Sequence, residues 1–304
     1  MGERGRYESG TFCWVGLATS DPESAKGFYA GLFGWQPEDV DAGAAGTYTM
    51  LRQGGHDVAI LCMQQPEARV AGAPPHWTSH ISVEDADTTA ARAGELRGAA
   101  VFRESFDVLD AGPVAAIRDP AGPIVSLWQP RTRIGATLVN DVDALCWNEL
   151  ATTDVERAKS FYGDLLGWGY ATDDSGYVSI KNAGSVSGGI REQTEHERGS
   201  PPSWLPYFTF RVRRRGRAAR HATGRTHAAS RHHDPSRAVG RDRRPAGRRV
   251  RGVRGRDRHL RDGRLCARLL RRHRGGRRDF LIGLLHLVAL PQEPRDHDGG
   301  RDDQ

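Results

Sequence analysis

Residues 13–35 read CWVGLATSDPESAKGFYAGLFGW and residues 146–168 read CWNELATTDVERAKSFYGDLLGW; they align without a gap and agree at 14 of 23 positions. Chance does not produce that agreement, so the chain carries an internal repeat, and the repeat governs the fold. Each copy opens on a strand, CWVGLAT or CWNELAT, whose side chains alternate between two faces. Asp21 and Asp154 then stand where a helix N-cap is wanted, and Pro22 occupies the first helical position of copy one. The helix carries Ala25, Phe28, Tyr29, Leu32 and Phe33 in copy one, and Ala158, Phe161, Tyr162, Leu165 and Leu166 in copy two. That i, i+3, i+4, i+7, i+8 spacing predicts one buried face in each. Gly34 and Gly167 sit where a left-handed residue ends a helix.

Working outward, short strands are expected at Tyr48–Leu51 and Val58–Met63 after the first helix, and at Tyr177–Lys181 and along the Gly-rich run to Ile190 after the second. Copy one continues through PPHWTSHISVEDAD (residues 74–87), a helix from about Ala86 to Arg97, and two strands around the turn Asp119–Gly122, ending at SLWQ. It thus runs through a βαβββ pattern twice. Copy two matches as far as PPSWLPYFTF (residues 201–210) and then stops resembling copy one.

The charge divides at the same place. Residues 1–212 carry 17 Lys and Arg against 28 Asp and Glu, and residues 213–304 carry 27 against 10, a net −11 followed by a net +17. Residues 213–279 are roughly a third arginine with no Phe, Tyr, Trp or Lys, too little apolar matter to offset the entropy of ordering a chain, so disorder is expected there. Read one base out of phase, Arg213–Arg217 permits Asp-Asp-Val-Asp-Ala, parallel to Glu84–Asp87. Residues 244–255 permit Asp-Pro-Gln-Gly-Ala-Val-Phe-Ala-Val-Phe-Glu, parallel to Asp119–Gln129. The tail therefore reads as the missing half of copy two in a shifted frame. The organisation expected is a first module over 10–131, a linker over 132–140, the N-terminal half of a second module over 141–212, and the tail over 213–304.

Four cysteines without a CxxC pair (Cys13, Cys62, Cys146, Cys266) form neither a disulfide framework nor a thiolate zinc site, so reduced thiols and a cytoplasmic setting are expected. The longest apolar run, Phe280 to Leu290, falls well short of the ~20 residues of a spanning helix, so no membrane partner is expected. A basic tail suits nucleic acid through phosphate neutralisation, but the absence of Lys and of interleaved aromatic residues argues against that partner. A small-molecule ligand is the partner expected, and a homo-oligomer stays open.

With these residues in hand, the chain resembles the vicinal oxygen chelate superfamily, which contains glyoxalases, bleomycin-resistance proteins and extradiol dioxygenases. The motifs that carry the resemblance are CWV at Trp14, SAKGFYAGLFGW, LWQ at Gln129, IGATLVN at Ile134–Asn140 and WNEL at Trp147–Leu150. Within it the chain is similar to tandem two-module actinobacterial hydroxylase-like proteins. The resemblance implies an α+β fold in which tandem βαβββ modules form open cup-shaped sheets, here with the second module truncated and a disordered Arg-rich C-terminal tail. It also implies a metal held by a His in the first strand, a His or Glu in the strand before the second helix and a Glu in the last strand. Those places fall on Trp14, His80 and Gln129 in copy one and on Trp147 and Tyr207 in copy two, whose third place lies in the tail. Trp cannot ligate and Tyr rarely does, so a divalent metal would depend on His80 and Gln129, a depleted set.

Two readings of these residues stay open. Trp14, His80, Gln129, Trp147 and Tyr207 line ligand pockets, or His80 is a core histidine and Gln129 a polar strand end. Glu149, on the same strand face as Trp147, is a catalytic base or orienting carboxylate, or else an exposed strand-edge carboxylate. Trp14, Trp77, Trp128, Trp147 and Trp204 form aromatic walls if they face the cups, while Cys13 and Cys146 read as small buried apolar groups. The function expected is that of a glyoxalase, hydroxylase or dioxygenase acting on a small oxygenated or aromatic molecule. The alternatives are a metal-free bleomycin-resistance-type protein that sequesters its ligand, and an inactive damaged copy.

Overall fold

The computed structural model describes residues 2–43 and 46–210. The expectations for residues 213–304, disorder and a shifted frame included, lie outside the described residues.

The first unit runs β1 (Phe12–Thr19), α1 (Pro22–Phe33), β2 (Gln36–Asp41), β3 (Thr47–Gln53) and β4 (His56–Met63). After a short helix α2 (Pro66–Val70) the pattern returns as β5 (His76–Ser82), α3 (Ala86–Glu95), β6 (Ala100–Val108), β7 (Gly112–Arg118) and β8 (Ile124–Trp128). The two units join into one eight-stranded sheet in the order β2-β3-β4-β1-β5-β8-β7-β6, which curls into a half-barrel. The repeat then restarts with β9 (Leu145–Thr152), α4 (Val155–Leu166), β10 (Gly169–Thr172), β11 (Val178–Asn182) and β12 (Ser185–Glu192), and β13 (Ser203–Phe208) closes the described chain. These strands form a second, smaller sheet in the order β10-β11-β12-β9-β13. The α+β class is as expected, and among the described residues no helix is long and apolar enough to cross a membrane.

Pairing repeats along with sequence. β1 is parallel to β4 and antiparallel to β5, just as β9 is parallel to β12 and antiparallel to β13. Asp21 and Asp154 cap their helices, each accepting from a first-turn amide at 3.0 Å, Ser24 and Arg157 respectively. Gly34 and Gly167 end them at φ 76° and 70°, backbone that a Cβ would strain. Three strands carry too weak a signal to be placed from the sequence, β2, β6 and β10; no residue of β6 is buried. QPEDVD is polar and almost wholly exposed, as an edge strand can be, and GYAT is too short to show a period.

The helical stripes need one correction. In α4 the expected face is buried, with Phe161 at 4% and Leu165 at 5% exposure, but the equivalent Phe28 and Leu32 of α1 stand 44% and 39% exposed. Only Tyr29 and Phe33 of α1 are buried. The cause is a neighbour. α4 packs between its own sheet and α3, whose Ala86, Ala90 and Ala93 share a core with Phe161 and Leu165, and no second helix covers α1 among the described residues.

The two sheets meet back to back. Ser79 Oγ on β5 donates to Asn148 Oδ1 on β9 at 2.7 Å, and Phe12 lies against Trp168 and Trp204 with ring centroids 5.5 and 4.9 Å apart. A buried relay crosses the same seam: Trp204 Nε1 donates to the Tyr162 hydroxyl at 2.8 Å, which donates to Asp119 Oδ2 at 3.0 Å. Burial raises the Asp119 carboxyl above the usual carboxylate range, although the Ala121 and Gly122 amides and Tyr162 pull the other way.

Candidate ligand-binding site

Strand alternation sorts the aromatic residues between the two faces of each sheet. Trp77 and Trp204 occupy the same place in β5 and β13, and their indoles donate to Tyr29 and Tyr162 of the helices at 3.1 and 2.8 Å. They face the helices and line no cup. Trp14 and Trp147, one strand over, point to the opposite, concave faces, and Trp128 lies against Trp14 at 5.6 Å.

On the concave face of the first sheet Trp14 is paired with His80 across the β1–β5 ladder, and both are buried, at 2% and 6% exposure. Gly16 gives the imidazole its room, since a Cβ there would lie 3.1 Å from His80 Cε1. Among the described residues neither Trp14 Nε1 nor His80 Nδ1 has a hydrogen-bond partner. Burial lowers the imidazole from its ordinary 6.5 to about 4, with the Thr78 carbonyl pulling weakly upward, so the ring is neutral in the fold. A folded-state value below the unfolded one supplies stability that is complete above pH 6.5 and lost as the pH falls toward 4. Unfolding midpoints measured from pH 7 to pH 4 should therefore fall by an amount corresponding to about 3 kcal/mol more in the wild type than in His80→Phe. Equal pH slopes in the two proteins would show that His80 is solvated.

On the concave face of the second sheet Glu149 takes the place that Gly16 holds in the first. It is 3% exposed, which rules out the strand-edge reading, and three donors surround its carboxylate. Arg191 Nε reaches Oε1 at 2.6 Å, the Tyr207 hydroxyl reaches Oε1 at 2.8 Å, and the Tyr177 hydroxyl reaches Oε2 at 2.9 Å. Trp147 Nε1 donates to the same Tyr177 hydroxyl at 2.9 Å, and Gly189 opens the space for it, since a Cβ there would lie 2.0 Å away. Arg191 continues to Glu197 in a two-pronged contact at 2.7 and 2.8 Å, and these bonds hold the Glu197 carboxyl down at about 2. Burial, with the Glu149 charge beside it, pushes both tyrosine hydroxyls above their usual range, so they remain donors.

The structure thus brings Trp147, Glu149 and Tyr207 into one cluster and Trp14 and His80 into another. Gln129 joins neither. It continues the alternation of Val125 and Leu127, which pack against α3, and its Oε1 accepts from the Ala86 amide at 3.0 Å as a cap on that helix. Tyr177, Arg191 and Glu197 were not read from the sequence, because only the sheet register places them around Glu149. Cys13 is fully buried, its thiol donating to the His80 carbonyl at 3.5 Å, and Cys146 is 7% exposed.

The metal implied by the superfamily finds no fitting set. Of the three places in the first sheet, Trp14 cannot ligate and Gln129 lies on the far face, leaving His80 alone. In the second, Tyr207 donates to Glu149, whose charge is already met by a guanidinium that would repel a cation. Among the described residues no group of three or more His, Cys, Asp or Glu could hold an ion.

A curled sheet of two joined βαβββ units, backed by helices and lined on its concave face by aromatic rings and a histidine, defines a class. The chain belongs to the Glyoxalase/Bleomycin resistance protein/Dioxygenase superfamily, whose family model matches residues 11–125. It is 37% identical over 213 residues to "Putative glyoxylase CFP32" of Mycobacterium tuberculosis, covering 68% of this chain and 80% of that one. It is 31% identical over 185 residues to anthracycline biosynthesis protein DnrV of Streptomyces peucetius, covering 58% of this chain and 66% of that one. Among solved structures, the Mn(II)-bound glyoxalase from Novosphingobium aromaticivorans aligns with a TM-score of 0.44 at 14% identity, over 61% of this chain and 62% of that one.

Proposed function

We propose that the protein binds a small oxygenated aromatic molecule on the concave face of its first sheet, without a metal, between Trp14 and His80. The observation that carries this is a contrast within the repeat. Trp147 gives its indole hydrogen to Tyr177, whereas Trp14 Nε1 and the facing His80 Nδ1 are buried with no partner among the described residues. A buried donor left unmet costs about 1–3 kcal/mol, which a ligand removes when it supplies the acceptor. A molecule with two neighbouring oxygens suits the pair, one accepting from the indole and one donating to the neutral imidazole, with Trp128 beside the ring. Relatives named for glyoxylase and for anthracycline biosynthesis fit a ligand rich in oxygen.

Recognition rather than turnover is the reading, because the metal set is missing and the Glu149 carboxylate already accepts from Arg191, Tyr207 and Tyr177. In this proposal residues 10–131 are the complete binding module, and residues 141–212 are half of a second one. Calorimetry with catechol as the probe tests it. Binding should survive EDTA and weaken roughly tenfold or more in Trp14→Phe and in His80→Phe. Equal affinity in both variants, or binding that EDTA abolishes and Mn2+ or Fe2+ restores, would overturn it.

A further inference from the structure

A cavity of about 680 Å3 lies at the seam between the two sheets; Trp147 is among its lining residues, whereas Trp14, His80, Glu149, Tyr177, Arg191 and Tyr207 are not. One wall is the N-terminal arm, residues 3–8. The other is the start of β9 together with the turn from β11 into β12. The arm is a fixed wall. The Arg4 amide donates to Thr137 O at 2.9 Å, the Val139 amide donates to Gly2 O at 2.9 Å, and the Tyr7 hydroxyl donates to Ala136 O at 2.7 Å.

Three polar groups with unused capacity line this space. Ser187 sits at the register shift opposite Ile180 and Lys181, and its buried Oγ has no partner among the described residues. Asn148 accepts from Ser79 through Oδ1, and its amide NH2 donates to nothing among the described residues. Asn182 spends its amide hydrogens on Ser9 O and Thr11 Oγ1, which leaves Oδ1 as an acceptor. The charges on the arm cancel, with Arg6 paired to Glu8 at 3.2 Å and Glu3 followed by Arg4, so the wall selects no net charge. Phe12, Val139, Leu145 and Val186 supply apolar surface between the polar groups.

We propose that this cavity is a second ligand site, for a flat, uncharged polycyclic aromatic molecule that carries both keto and hydroxyl groups. The volume falls among sites for drug-sized ligands and would leave a single ring mostly unsupported. A donor-only group, an acceptor-only group and a hydroxyl able to do both match a keto oxygen beside a phenol. The site is independent of the pair at Trp14 and His80.

Titration of the full chain with 1,4-dihydroxyanthraquinone, followed by calorimetry and by quenching of tryptophan fluorescence, tests the assignment. Ser187→Ala should weaken binding roughly tenfold. Ser187→Trp, which fills the cavity, should abolish it, with catechol binding and circular dichroism unchanged in both variants. Should Ser187→Trp fail to fold, Ser187→Ala decides alone. The proposal is overturned if the wild type does not bind the quinone, if Ser187→Ala binds it as tightly as the wild type, or if His80→Phe removes binding that Ser187→Trp retains. Loss of catechol binding with retention of the quinone site would sink the first reading and leave this one standing.

Discussion

A chain carrying Glu149→Ala should lose about 3–5 kcal/mol of folding stability, the cost of removing one member of a buried ion pair. Arg191 has only 10% of its side chain exposed and would keep Glu197 as its sole counter-charge, while the hydroxyls of Tyr177 and Tyr207 would lose their acceptor. Exposed pairs in the same molecule, such as Arg6 with Glu8, are each worth about 1 kcal/mol or less by contrast. Desolvation makes the buried pair expensive to break without making it stabilising to own. The double variant Glu149→Leu with Arg191→Met should therefore recover most of the loss. Urea unfolding of the wild type, the single variant and the double variant reads the effect. A loss below about 1 kcal/mol in Glu149→Ala would mean that water reaches the cluster, and the carboxylate would again become a candidate base.

The second large effect separates two phenylalanines that the sequence makes equivalent. Phe161→Ala should cost about 3–5 kcal/mol and Phe28→Ala no more than about 1, since the first empties a packed core and the second trims a side chain nearly half exposed. Both lie one residue before the tyrosine that receives a tryptophan indole, so the local helix contributes equally to each. What differs is α3. Parallel unfolding curves of the two variants measure the contribution of that neighbour. Equal losses would show that α1 has acquired a cover of its own, from residues beyond 210 or from a second copy of the chain.

Much of the architecture could be read along the chain because it rests on local rules. The N-caps at Asp21 and Asp154, the caps at Gly34 and Gly167, and strand alternation at Trp14 and Trp147 are all decided within a few residues. The site was legible in part. Alternation placed Glu149 with Trp147, and β5 and β13 placed His80 and Tyr207 opposite the two tryptophans. The partners of Glu149 were not legible, because Arg191 and Tyr177 arrive from β12 and from the residue before β11 through register. Gln129, by sequence a pocket residue or a polar strand end, is carried by one more step of alternation to the helix side, where an unmet amide at the start of α3 takes its oxygen.

By itself, then, the amino-acid order determined that a strand-helix-strand unit occurs and recurs, since hydrogen bonding within the backbone and the periods of strand and helix act over short distances. Tertiary structure alone decided which of two identical-looking helical stripes is buried, which tryptophans face helices and which face the concave surfaces, and that one indole is satisfied while its twin has no partner among the described residues. Burial and hydrogen-bond satisfaction depend on atoms far apart in the chain. Copies alike at 14 of 23 positions diverge in role because their neighbours differ: α3 stands beside α4, and Gly16 occupies the place where the second sheet has Glu149.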